Sequence, residues 1–152
     1  MSIWILSANS SKAIIYKLET LAALQNDDVL QELECFTHNE SREKDDALAA
    51  DNLGRFDHAA GGTGNFHEQS DPKQQEAIIF ARDLCKILKQ HHNNKAFDEL
   101  VIAASPHFHG LLNQHLDPAM AASITHSIQN DYTQDSGRVL EHHLRKHLFP
   151  DN

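Results

Sequence analysis

A chain of 152 residues, 40% hydrophobic and 23% charged, has the size and composition of one soluble domain that buries a core without disulfide or metal staples. Its formal charge of −9, with twelve histidines counted as neutral, repels phosphate backbones and argues against non-specific nucleic-acid binding. Two sparse cysteines, Cys35 and Cys85, form no disulfide framework and read as buried thiols of a reducing compartment.

The opening MSIWILSANSSK has no basic n-region, and no stretch reaches the length of a membrane span, so the expected location is cytoplasmic, without membrane insertion. Residues 3–6 are a short unbroken apolar run, the pattern of a strand buried on both faces. Asn9-Ser10-Ser11 is a turn cluster. Residues 13–18, rich in β-branched and aromatic side chains, read as the hairpin partner of the first strand. Residues 19–26 fit either a helical turn or a strand end and loop. A third strand lies in VLQELECF, with Val29, Gln31, Leu33 and Cys35 as its expected inward face. Residues 37–71 then lack apolar periodicity, apart from a short helical pattern at 43–53. A stretch of that length in a compact domain is usually functional or disordered.

Ser70 or Asp71 suits a helix N-cap, Pro72 the first helical position, and Glu76 adds early negative charge. Ala77, Phe80, Ala81, Leu84, Ile87 and Leu88 follow at three- and four-residue spacing, predicting an amphipathic helix over about 72–92. Residues 100–104 form a buried strand, and Ser105-Pro106 opens a helix through Leu112. Asp117-Pro118 opens a further helical turn. Residues 123–128 read as a last strand with Ile124 and Ile128 on one side, and residues 136–147 as a C-terminal helix carrying Val139, Leu140 and Leu144. The order β-β-β-α-β-α-β-α predicts one α/β domain with a mixed, five-stranded sheet and helices packed on it.

Four of the six glycines fall within residues 54–67, GRFDHAAGGTGNFH. A phosphate cradle would run from a strand directly into a helix N-terminus, but NFHEQS intervenes here, and neither GxxxxGK[ST] nor a placed GxGxxG occurs. His58, His67 and Glu68 lie close in sequence, and His143 and His147 share a helix face. Without HExxH or CxxC, no metal or cofactor is expected. Ser105 sits in ASP rather than in a GxSxG elbow. Thr63, His67 and Gln69 are the remaining candidates for activating a water. Arg42, Lys44 and Arg55 bring positive charge beside the glycines, as an RNA or phosphate partner requires. They can equally pair with Asp45, Asp46, Asp51 and Asp57 and order the loop. Pro106-His107-Phe108-His109 stands at a strand's carboxyl end, where α/β sheets place ligands; capping and packing explain it as well.

From the glycine cluster to residue 132 the chain resembles the middle domain of the eukaryotic and archaeal class 1 peptide-chain release factors. Gly61-Gly62, FARDLCKIL, FDELVIAASPHFHGLLNQHLDPAMAASI and Asn130-Asp131-Tyr132 carry that likeness. In that family a Gly-Gly-Gln tip promotes peptidyl-tRNA hydrolysis. Here Thr63 follows the two glycines and the nearest glutamine is Gln69, so the likeness does not extend to that chemistry. Over nearly its whole length the sequence is similar to the bacterial host attachment proteins. The segments are IWILSANSSKAIIYKL, Glu40-Ser41-Arg42-Glu43-Lys44, Asp51-Asn52-Leu53-Gly54-Arg55, the glycine cluster, Asp71-Pro72, EAIIFARDLCKIL, and Pro106, Phe108 and Gly110-Leu111-Leu112. This resemblance implies one domain over 1–152 with a ribonuclease-H-like, release-factor-middle-domain-like sheet. It supplies no biochemical activity; with the release-factor likeness, the leading expectation is a non-enzymatic or degenerate module acting near translation, meeting ribosome or tRNA through Arg42, Lys44, Arg55, His58, Gly61 and Gly62. The rivals are a protein-interaction factor for host attachment without an RNA role, and a hydrolase using the 58–69 loop.

Overall fold

The computed structural model describes residues 2–38, 72–135 and 137–150. Strands β1 (Ile3–Ala8), β2 (Lys12–Leu18), β3 (Gln31–Thr37), β4 (Glu99–Ala104) and β5 (Ile124–Ile128) form one sheet in the order β3-β2-β1-β4-β5. β2 is antiparallel to both β1 and β3, whereas β4 is parallel to β1 and β5. The expected mixed five-stranded α/β domain is therefore present. β1 lies at its centre, and all six of its residues are buried. A strand covered on both faces has no polar side to alternate with, which explains the unbroken apolar run in its sequence.

Helices α1 (Pro72–Asn93), α2 (Pro106–His115) and α3 (Pro118–Ser123) cover one face. There Phe80, Leu84, Phe108 and Met120 pack with Trp4, Leu6, Leu100 and Ile102. A 3-10 turn at Leu21–Gln25 and helix α4 (Gly137–Leu148) cover the other, where Leu24, Leu140 and Leu144 meet Ile3, Ile5, Ile14 and Val101. The 3-10 turn resolves the ambiguous 19–26 stretch; Thr20 caps it by accepting from the Ala23 N–H at 3.2 Å. Asp117 likewise caps α3 by accepting from Met120 N–H at 2.8 Å, with Pro118 at the first position. α2 runs on to His115 instead of ending at Leu112. Ser70 and Asp71, the expected caps of α1, lie outside the described residues.

Three expectations about side-chain direction are corrected by local irregularities. In β3, Ile15 pairs with Glu34 but Tyr16 with Glu32, leaving Leu33 as a bulged extra residue. A bulge breaks the period of two. Leu33 and Phe36 therefore both pack on the α1 face, and Cys35 is exposed rather than inward. In β5, Leu100 pairs with Ile124 but Val101 with His126. Ile124 consequently packs on the α1 face and Ile128 on the α4 face, not together. On α4, Val139 is 43% exposed and lies off the packed stripe of Leu140 and Leu144. Cys85 is buried as expected, and burial, with Asp117 nearby, pushes its thiol up to about 12.

Glu141 fixes how α4 lies on the sheet. It is only 1% exposed, and its carboxylate accepts backbone N–H bonds from Asp28 at 3.0 Å, Val29 at 2.7 Å and Leu30 at 3.1 Å. Asp28 has φ 60°, the left-handed conformation that turns successive amides toward one point. Arg145, one helical turn on, donates to the carbonyl of Leu24 and to Asp27 Oδ1 at 2.7 Å. Replacing Glu141 by Ala strips three partly buried amides of their acceptor and is expected to destabilise the fold by about 3 kcal/mol. Urea unfolding followed by circular dichroism measures that loss. A thiol reagent such as DTNB is expected to modify Cys35 rapidly in the folded protein and Cys85 only after denaturation.

Candidate functional site

One end of the sheet gathers the polar residues. The pairings Ala8↔Ala13, Lys12↔Thr37 and Ala8↔Ala104 put the β1–β2 turn, the end of β3 and the start of α2 side by side. β5, parallel to β4, ends there as well. Backbone bonds tie this rim together: His38 N–H donates to Ser11 O at 2.7 Å, and Ser105 N–H to Ala8 O at 3.2 Å. Carboxyl ends of parallel strands are where open α/β sheets present ligands.

At this rim the two flanks of the 39–71 segment meet. His38, just past β3, holds Nε2 2.9 Å from Glu76 Oε2 on α1, and both side chains are mostly buried. The imidazole stacks on Phe80, with centroids 4.9 Å apart at 18°. Glu76 was expected to add negative charge near the helix start, but the first turn contains no acidic residue and Glu76 faces His38. Two residues earlier on α1, Gln74 Oε1 lies 2.9 Å from His107 Nε2 at the start of α2. The exit and return of the segment are thereby fastened to each other and to α2. A groove of about 380 Å³ lined by Phe36, His38, Phe80 and Asp83 flanks the clasp.

Asn9 organises the other side of the rim. Its Oδ1 accepts from the N–H groups of Ser11 at 2.8 Å and Lys12 at 2.9 Å, an Asx turn. Its amide donates to Asp131 Oδ2 at 2.9 Å and Thr133 Oγ1 at 3.0 Å. Asp131 Oδ1 also accepts from the Thr133 hydroxyl at 2.6 Å and backbone N–H at 2.9 Å. Burial pushes the Asp131 carboxyl up, but the bonds from Asn9 and Thr133 outweigh it and hold the pKa below the ordinary value. Beside this network a groove of about 430 Å³ is lined by Lys12, Tyr16, Glu32, Thr133 and Asp135. The Tyr16 phenol is pushed up by burial and then by Glu32, Cys35 and Asp135, so it stays a neutral hydroxyl at physiological pH.

The residues singled out from sequence fare unevenly. Arg42, Lys44, Arg55, His58, Gly61, Gly62, Thr63, His67 and Gln69 all lie outside the described residues. In the Pro106-to-His109 stretch Pro106 opens α2 and the rest serves packing, without a side-chain cap from Ser105: Phe108 and His109 are buried, and burial lowers the His109 pKa. His143 and His147 dock α4 instead of forming a ligand pair. His143 stacks on Tyr132 at 4.5 Å and 4°, with Nε2 3.3 Å from Asp135 Oδ2, and His147 Nε2 is 3.4 Å from Asn130 Nδ2. Among the described residues no three His, Cys, Asp or Glu side chains group as a metal site, and no helix is long and apolar enough to cross a membrane. Sequence reasoning missed His38, the pairing of Glu76 with it and the four-bond role of Asn9. Asn9-Ser10-Ser11 does carry an Asx-turn signal, but nothing in the sequence pairs residue 38 with 76.

Fold and site together define a small α/β domain whose polar rim clasps the two flanks of one long connecting segment. The chain belongs to the family described as protein required for attachment to host cells, whose model matches residues 4–144. No curated protein matches it.

The depressed Asp131 pKa links the rim to pH. Its contribution is fully present above the unfolded carboxyl value of about 3.9 and fades as pH falls through the lower folded value. Asn9→Ala is expected to raise the Asp131 pKa and to shrink that acid-dependent share of stability. NMR titration of the Asp131 side-chain carboxyl carbon in both proteins is the check.

Proposed function

We propose that the protein is a host attachment family module that acts by binding, using the 39–71 segment presented from the carboxyl rim. In this reading the segment contacts ribosome or tRNA through Arg42, Lys44, Arg55, His58, Gly61 and Gly62, as the likeness to the release-factor middle domain implies. The observation that supports it is the clasp: His38 and Glu76 meet at 2.9 Å on either flank of the segment. A segment with two fixed, adjacent ends loses less conformational entropy on binding than a free tail. The cations beside its glycines suit phosphate contacts that position without reading sequence.

The second reading, a protein partner that serves attachment without RNA, is favoured by the net charge of −9 and by the family description itself. Co-sedimentation with purified ribosomes over a salt series separates the two. The translation reading expects binding that weakens as salt rises and falls further in Arg42→Ala/Arg55→Ala, since each lost phosphate contact lowers the salt slope by about one. Absence of ribosome binding at low salt would refute it and direct the search to protein partners. If ribosomes bind, a peptidyl-tRNA hydrolysis assay of Thr63→Ala and Gln69→Ala tests whether the loop also activates a water.

A further inference from the structure

A third, smaller cavity lies away from the rim, between α1 and the junction of α2 with α3. It has a volume of about 180 Å³ and is lined by Arg82, Lys86, Lys89, His115 and Asp117, with Cys85 and Met120 at its apolar wall. Arg82, Lys86 and Lys89 stand at i, i+4 and i+7 and so share one face of α1. Lys86 lies ten residues past Glu76, about 15 Å along the helix. The chain has only 13 Lys and Arg against 22 Asp and Glu, so three cations around one cleft concentrate scarce positive charge.

The neighbours of these cations leave charge over. Lys89 Nζ is 3.1 Å from Asp117 Oδ2, and Arg82 Nε is 3.6 Å from Asp83 Oδ1. Lys86 makes no ion pair among the described residues. Asp117 is already engaged by the Met120 N–H it caps, and that bond, then the one from Lys89, holds its pKa below the ordinary carboxylate value. Three cations thus stand against two carboxylates, with Lys86 the one left over. Inside it, His115 Nε2 is shielded from solvent and has no hydrogen-bond partner among the described residues. A sequestered ring nitrogen without a partner is unfavourable and uncommon. The wall at Cys85 stays uncharged, because its thiol is pushed up to about 12, and the group donates weakly to Leu112 O at 3.5 Å.

We propose that this cleft binds a phosphoryl group, as the free ion or a small phosphate ester. Lys86 and Arg82 meet its oxygens at the mouth, a turn of the His115 ring brings the shielded Nε2–H to one within, and Lys89 is steadied beside it by Asp117. The positive charge left over, centred on Lys86, suits an anion, and a planar guanidinium with two ammonium groups approaches a tetrahedral anion from several sides. The volume is below the 300 Å³ or so at which ordinary cofactor and drug sites begin, which limits the ligand to a compact one. This site is independent of the rim and of ribosome contact.

Titration of the intact protein with inorganic phosphate tests it, read by calorimetry and by the His115 ring resonances in a nitrogen–proton correlation spectrum. The expected result is saturable binding that moves His115 Nε2, with affinity about tenfold weaker in Lys86→Ala, the loss of one hydrogen bond to a charged group. Lys17→Ala, at a partly exposed lysine of β2 beside Glu19, should bind like the parent. Tighter binding of glycerol phosphate assigns a small ester, and equal binding assigns the free ion. A stationary His115 resonance, or equal weakening in Lys17→Ala and Lys86→Ala, would overturn the site as a general charge effect.

Discussion

A single buried carboxylate, Glu141, governs how the molecule closes. A charge taken out of water is costly unless its lone pairs are met. The amides of Asp28, Val29 and Leu30 meet them at 2.7 to 3.1 Å. Any shift of α4 along the sheet would strand both the charge and those amides, so only one docking position is low in energy. That position carries Leu140 and Leu144 onto Ile5, Ile14 and Val101. Without α4 the second face of β1 would lie open, and a central strand that is apolar on both faces would have water on one of them. The two-sided burial of β1 thus depends on a polar contact made far from it in sequence.

The opposite face is organised by α1, and α1 also connects packing to the rim. Phe80 belongs to the core and at the same time forms the platform on which His38 stacks. The clasp between His38 and Glu76 is therefore as rigid as the hydrophobic layer beneath it. Rigid elements carrying a variable segment are the usual arrangement for a binding protein. The family relation over residues 4–144 gives that arrangement a biological setting.

Charge is distributed unevenly over this acidic chain. At α4, Arg145 and Arg138 are engaged with Asp27 and Asp28, and they brace the turn that grips Glu141. On α1 the run of Arg82, Lys86 and Lys89 instead surrounds a cleft with an unpartnered imidazole nitrogen. The same residue types serve structure at one place and leave a binding potential at the other. What differs is whether carboxylates stand opposite them in number.

Much of the architecture was legible in the sequence. The continuous apolar run of β1, the β-branched hairpin partner and the three- and four-residue spacing of α1 each follow from local periodicity, which a sequence states directly. Pro72, Pro106 and Asp117-Pro118 marked helix starts for reasons of backbone geometry alone. Side-chain direction in β3 and β5 was not legible, because bulges at Leu33 and between Ile124 and His126 arise from pairing with a neighbouring strand. Nor was the exposure of Cys35, which follows from the same bulge. At the rim, Asn9 announced a turn, but its bonds to Asp131 and Thr133 join residues more than 120 positions apart. The sequence by itself therefore determined the elements, their order and the family. Only the tertiary structure decided which faces meet, that Glu141 is buried and that residue 38 clasps residue 76, because long-range contacts leave no period in the chain.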